Sequence, residues 1–293
     1  MRKLILLAGA VLAISSCDKV LADFQDIETP TEQTGPTKKF TFTVKGSFSS
    51  DLKTKASEYL YADGKQMTDL WVLDYKDGTL VQQLHQSNTE DDFGAPVMNL
   101  SYGTHHVYFV ASRGQEPTLN TTAKTITWTK VLDTFYKDYE VTVVATSNGN
   151  RAVTLERAVT RLRLTFTDAI AENAATIIIT PHTWYYGLDY TTGEPAEAKT
   201  DHAATITIPS NRVGVVGETA NLYGISSATE WTTDVAIASK TGENATIGAA
   251  TIEAAPFKRN RSTDYSGPLF SSSGDISLAL NSSWSEPPLT GEW

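Results

Sequence analysis

Asp69-Leu70-Trp71-Val72-Leu73-Asp74-Tyr75, turning through Lys76-Asp77-Gly78 into Thr79-Leu80-Val81, is the stretch that decides the fold. Read as an extended chain, the first segment is apolar on both faces, and Gly78 supplies the positive φ that a tight turn requires, so the stretch predicts a β-hairpin. Upstream, Phe40, Phe42 and Val44 alternate with Thr41 and Thr43, the period of a strand with one buried face. Downstream, Tyr102-Gly103 precedes residues 105–111, where Val107 and Phe109 face one way and Tyr108 and Val110 the other; a further strand is expected over 139–145.

The rest of the chain continues in this style. Leu155-Glu156-Arg157 runs on into Leu162, Leu164 and Phe166, which alternate with Arg161, Arg163 and Thr165, and this reads as one long amphipathic strand. Residues 176–180, 205–208, 220–225, 235–238, 245–254 and 276–280 are further strands between clusters of Gly, Pro, Asn and Ser. Between 119 and 137, Thr125-Ile126-Thr127-Trp128 is extended and residues 131–137 are expected to form a short helix. Few windows carry a 3.6-residue stripe. Many short strands with polar turns predict an all-β chain of sandwiches or barrels, and the length predicts two of them. The boundary is placed near residues 148–154, with the strand around Leu155 opening the second unit.

The N-terminus predicts where the protein works. Met1-Arg2-Lys3 is a basic head and residues 4–13 form an apolar run broken by Gly9, the layout of a secretory signal. The run falls well short of the roughly 20 residues that span a bilayer as a helix. Ile14-Ser15-Ser16-Cys17 resembles the lipobox of bacterial lipoproteins, which implies cleavage before Cys17 and acylation of its thiol. Cys17 is the only cysteine and has no partner for an intrachain disulfide. Several acyl chains at one site give lasting attachment, whereas a single chain is marginal. Asp18, Asp23, Asp26, Glu28 and Glu32 against Lys19, closed by Pro30, Gly35 and Pro36, read as an acidic flexible tether, similar to the surface-export signal of Bacteroides-group lipoproteins. The expected organisation is a signal peptide over 1–16, a lipidated tether over 17–38, and β-sandwiches over 39–150 and 151–293.

Composition narrows the function classes. The formal charge is −10, and loss of Arg2 and Lys3 with the signal lowers it to −12. No basic face is evident, so nucleic acid is not an expected partner. G-x-S-x-G, H-E-x-x-H, P-loop and paired C-x-x-C motifs are all missing, so the chain is expected to be non-enzymatic and to need no cofactor. No metal site is expected either: His105 and His106 point to opposite faces of a strand and cannot jointly grip one ion, and Asp74, Asp77 and Gly78 lack the spacing of a calcium loop. Trp184, Tyr185 and Tyr186, with Tyr190 nearby, could stack on sugars; aromatics are equally ordinary core residues of strands.

Five stretches in order resemble the FimA/Mfa family of fimbrial lipoproteins from the Bacteroides group, in particular its FimB/Mfa2-like branch. They are the lipobox at Cys17; residues 67–75 with Asp77-Gly78; residues 102–111; residues 155–162; and Lys258-Arg259-Asn260-Arg261-Ser262-Thr263 running to Gly267-Pro268-Leu269-Phe270. The resemblance implies two consecutive transthyretin-like β-sandwiches and a place in a surface pilus. It also implies that other fimbrial subunits are the partners, joined by strand addition. In that family stalk subunits lose an N-terminal strand to an arginine-specific protease and take up a neighbour's strand; here the corresponding strand carries Phe40, Phe42 and Val44. After Arg2 the next arginine is Arg113, so such trimming has no site in the leader, although Lys38 and Lys39 leave a lysine-directed cut open. The expectation is that the first strand stays and so does the lipid on Cys17 in the outer membrane, which would make this chain an anchor or accessory subunit for cell adhesion. The alternative is a surface lipoprotein that binds glycans through Trp184, Tyr185 and Tyr186.

Overall fold

The computed structural model describes residues 30–31, 35–46 and 67–271, together with the backbone of 277–281. Nineteen strands follow one another among the described residues: β1 (Thr37–Gly46), β2 (Asp69–Lys76), β3 (Thr79–Ser87), β4 (Val97–Ser101), β5 (Gly103–Ser112), β6 (Thr118–Asn120), β7 (Thr125–Thr127), β8 (Thr134–Val143), β9 (Asn150–Arg157), β10 (Val159–Phe166), β11 (Ala174–Pro181), β12 (Thr183–Asp189), β13 (Pro195–Thr200), β14 (Ala204–Thr207), β15 (Thr219–Ile225), β16 (Trp231–Thr241), β17 (Thr246–Phe257), β18 (Ser262–Gly267) and β19 (Ser277–Asn281). The only helical element described is a single 3-10 turn, Ser210–Arg212. The fold is all-β.

One sheet of seven strands runs β3-β2-β5-β8-β9-β1-β4. Two further sheets run β15-β10-β18-β19 and β14-β11-β16-β17. The fourth, β13-β12-β7-β6, takes two strands from each side of residue 150. The β1–β9 and β10–β18 pairs are parallel and all others antiparallel.

Two cores explain why β2 is apolar on both faces. Leu70 and Val72 join Phe40, Phe42, Val107 and Phe109 inside the first sheet. Trp71, Leu73 and Tyr75 point the other way, into a larger core shared with Leu162, Leu164, Ile177, Trp184 and Phe257. The Tyr75 and Tyr190 hydroxyls meet there at 2.7 Å, so burial of one β2 face depends on the C-terminal half of the chain. Asp77 at φ 50° and Gly78 at φ 78° form the β2–β3 turn, the backbone that a two-residue hairpin loop needs.

Two expectations are corrected. Residues 131–137 form no helix: Val131 and Leu132 are buried in a loop and Thr134 opens β8, which pairs along its whole length with β5. Thr134 and Phe135 favour a pleated surface, and β5 supplies a ladder that a short isolated helix would forgo. The long strand through 155–166 is two strands divided at Ala158. β9 stays with β1 and β8, while β10 pairs with β15 and β18, so the chain changes sheets beyond residues 148–154. The buried positions shift there from odd (Val153, Leu155, Arg157) to even (Leu162, Leu164, Phe166), the one-residue phase slip that moves side chains between faces.

A loop after β18 closes the larger core. Leu269 and Phe270 are buried, Phe270 meets Phe166 edge-on at 5.5 Å, and Asp168 accepts the backbone N–H groups of Leu269, Phe270 and Ser271. Gly248 is obligatory beneath it, since a Cβ there would lie 2.0 Å from the Leu269 carbonyl oxygen.

Candidate functional site

β1 lies inside a sheet rather than at its edge. It pairs antiparallel with β4 from Thr37↔Ser101 to Thr41↔Val97, and parallel with β9 from Thr41↔Asn150 to Gly46↔Leu155. Further ladder bonds run from Thr41 N–H to the Gly149 carbonyl at 2.7 Å, from Phe42 N–H to Pro96 and from Val44 N–H to Gly94, both at 3.0 Å. Phe40, Phe42 and Val44 are fully buried, because every second side chain of a strand shares a face. Phe42 meets Phe109 edge-on at 5.1 Å and Tyr139 at 6.0 Å, and the Arg151 guanidinium sits 5.2 Å from the Phe40 ring. Withdrawing β1 would therefore strip a ladder from β4 and β9 and empty three apolar positions.

The basic pair before Phe40 is part of that ladder. Lys38 lies opposite Leu100 and Lys39 opposite Asn99, and Lys38 Nζ donates to the Ala145 carbonyl at 2.8 Å. A protease must bind its substrate as an extended, unpaired segment, so these residues have to peel from β4 before they can be cut. Cys17 and residues 1–16, the expected signal peptide, lie outside the described residues.

The three aromatics near 184 do not form one exposed platform. Trp184 is 0% exposed; its Nε1–H donates to the Tyr223 carbonyl at 2.9 Å and its ring meets Phe257 edge-on at 4.9 Å. Gly224 makes room for that indole, since a Cβ there would lie 2.6 Å from it. Tyr186 is also buried, with Lys199 Nζ 4.3 Å from its ring and His202 edge-on at 5.3 Å; burial pushes its hydroxyl pKa up. Tyr185, half-buried, points to the opposite face against Trp231 at 5.3 Å. Consecutive strand residues cannot share a face, so the pleat sets Tyr185 apart from Trp184 and Tyr186, whose common face is buried. Tyr190 is in the core.

Two buried polar clusters carry no motif in the sequence. Arg157 Nε and Nη2 meet Asp133 Oδ1 and Oδ2 at 2.7 and 2.9 Å, and Nη1 reaches Asn260 Oδ1 at 3.3 Å. His105, fully buried, places Nδ1 2.8 Å from Asp74 Oδ1, and its Nε2–H donates to the Ser101 carbonyl at 2.9 Å. Burial pushes the Asp74 carboxyl pKa up, against the pull of the His105 hydrogen bond and charge. His106 points out of the same strand toward Asp138 at 3.1 Å. Among the described residues no three His, Cys, Asp or Glu side chains are placed to hold a metal, and no helix is long and apolar enough to cross a membrane.

No family model and no curated protein matches the chain. Solved structures do. An inferred adhesin from Bacteroides ovatus ATCC 8483 aligns with a TM-score of 0.51 at 11% identity, over 78% of this chain and 88% of that one. The tip fimbrial protein Mfa3 from Porphyromonas gingivalis aligns at 0.45 with 14% identity, over 84% and 99% of the two chains. A fimbrial assembly protein from Parabacteroides distasonis aligns at 0.46 with 11% identity, over 84% and 99%. At these identities the likeness is one of fold, and the chain is an all-β protein with the architecture of the Bacteroides ovatus adhesin.

Proposed function

We propose that this chain is a non-enzymatic subunit of a surface fimbrium, an anchor or accessory component of the FimB/Mfa2-like kind, held to the outer membrane by lipid on Cys17. The observation that carries the reading is the position of β1, hydrogen-bonded on both sides with Phe40, Phe42 and Val44 in the core. A chain that keeps this strand completes its own sheet and offers no vacant groove there, which suits a terminal or membrane-proximal position better than a repeating one. The lack of any arginine between Arg2 and Arg113 and the pairing of Lys38 and Lys39 with β4 favour retention. The fold shared with an inferred adhesin supports a role at the cell surface. On this reading residues 39–150 and 151–293 form two transthyretin-like units, joined by the β13-β12-β7-β6 sheet, and other fimbrial subunits add strands to them.

Mass spectrometry of the protein from purified outer membranes tests this directly. The expected N-terminus is an acylated Cys17. A mature chain beginning near Phe40 would make it a processed stalk subunit instead. Cys17→Ser should move the protein out of the membrane fraction; unchanged retention would overturn the lipid anchor.

A further inference from the structure

Two cavities adjoin at the seam of the mixed sheet. The first, about 260 Å³, is lined by β14 and β15, each an edge strand of its sheet, and by residues 129–131 of the β7–β8 loop. The second, about 310 Å³, shares Thr129 and Tyr186 with the first and is lined also by Glu116, Glu197 and Lys199.

The two differ in charge. In the second, two carboxylates outnumber Lys199, whose Nζ lies 4.3 Å from the Tyr186 ring. No carboxylate lines the first, and Lys130 and His202 do, in a chain with 34 acidic residues against 24 basic ones. The carboxylate next to His202 in sequence is engaged elsewhere, since Asp201 Oδ1 lies 3.0 Å from His182 Nδ1. Among the described residues neither the Lys130 ammonium nor the His202 imidazole has an ion pair or a hydrogen bond; the His202 ring meets Tyr186 edge-on at 5.3 Å.

Exposure ranks the walls. His202 is exposed and Lys130 half-buried, whereas Leu222 and Tyr223 are buried and Ala204 and Ile206 pack against the larger core. The cavity thus sets a cation and an imidazole toward solvent over an apolar floor. An ammonium ligand would meet Lys130 with like charge, a bare inorganic anion would leave the floor uncovered, and an uncharged apolar molecule would leave Lys130 without a counter-charge. A carboxylate on an apolar body answers all three, because the imidazole offers an N–H in either neutral tautomer and lysine offers three. At about 30 Å³ per water the cavity has room for eight or nine, which suits a body of one ring or a short chain. We propose that the first cavity binds a small carboxylic acid with an apolar body, its carboxylate between Lys130 and His202 and its body on Ala204, Ile206 and Leu222. This proposal is independent of the position of the chain in a fibre. It also differs from an exposed Trp184–Tyr185–Tyr186 platform, since Trp184 and Tyr185 line neither cavity.

The test is saturation-transfer NMR on the full chain with phenylacetate, indole-3-acetate and octanoate as probes and phenylacetamide as the uncharged control. At least one acid should receive saturation, with an affinity in the millimolar range typical of so small a ligand. Where phenylacetate binds, phenylacetamide should bind about tenfold more weakly, the loss expected when a charge-assisted hydrogen bond becomes a neutral one. Lys130→Met should weaken the acid by a similar factor without lowering the melting temperature, because the ammonium it removes makes no bond within the described residues. Ala204→Trp, which fills the cavity, should abolish binding, while Lys39→Met on β1 should leave it unchanged. Absence of transfer from all three acids to the folded protein would mean that water alone occupies the cavity and would overturn the proposal. Equal binding of phenylacetate and phenylacetamide, or transfer undiminished in Lys130→Met, would overturn it as well.

Discussion

Arg157→Ala should be among the most damaging single substitutions in this protein. Arg157 ends β9 where the chain leaves the first sheet, and it is 4% exposed against 2% for Asp133, its bidentate partner. The same guanidinium reaches Asn260 in the β17–β18 turn and lies 5.1 Å from the Phe135 ring, so it ties together three segments distant in sequence. Truncating one member of a buried pair leaves the other charge without compensation, at a cost of about 3–5 kcal/mol. For an ordered region of this size that is a drop of about 6–20 °C in melting temperature. Replacing both partners, as Arg157→Met with Asp133→Leu, removes the stranded charge and should recover most of the loss. Urea unfolding and calorimetry of the two single variants and the double variant, arranged as a cycle, measure this coupling. A double variant as unstable as the sum of the singles, or an Arg157→Ala loss under about 1 kcal/mol, would refute the argument that an isolated Asp133 carboxylate is what costs.

Three further outcomes are expected. Although burial pulls the Asp168 carboxyl pKa up, the N–H groups of Leu269, Phe270 and Ser271 and the Ser271 hydroxyl hold it below the usual carboxylate range. Its contribution is therefore present above the unfolded value near pH 4 and lost as pH falls through the lower folded value; Asp168→Asn should cost about 1–2 kcal/mol at pH 7 in urea unfolding, with the gap closing in acid. Asp74→Asn should be tolerated, because the His105 Nε2–H is committed to the Ser101 carbonyl and the amide can give Nδ1 its one hydrogen; Asp74→Leu, which strands the imidazole, should cost about 1–3 kcal/mol. Since burial raises the Asp74 pKa, wild-type stability from this group is fullest below the unfolded value and is lost as pH rises through the folded one, so Asp74→Asn should gain on wild type from pH 3 to pH 7 in matched denaturation curves. Phe42→Ala empties the centre of the β1 core and should cost about 3–5 kcal/mol; a loss under 1 kcal/mol by the same assay would show that β1 contributes little to the sheet.

Much of the fold is written locally. The alternation of Phe40, Phe42 and Val44, the Asp77-Gly78 turn and the two-faced run from Leu70 to Tyr75 all follow from short-range rules, because a strand exposes its period in the sequence and a two-residue turn demands positive φ. The break at Ala158 was legible too, in the shift of apolar parity between Leu155 and Leu162, and so was the impossibility of Trp184, Tyr185 and Tyr186 sharing one face. Residues 131–137 misled because a mixed segment of that length is compatible with either backbone until β5 offers it a ladder.

What only the tertiary structure decided depends on pairing between distant segments. Nothing in the sequence near Asp133, Arg157 and Asn260 announces that they meet, and nothing near Trp128, Tyr186 and Asn221 announces two shared cavities. The placement of β1 between β4 and β9 likewise required partners far along the chain. Side-chain period is a property of one strand, set by its own φ and ψ; strand order, buried ion pairs and cavities are properties of how strands are stacked, and the stacking is set by the total apolar area that the whole chain can hide at once.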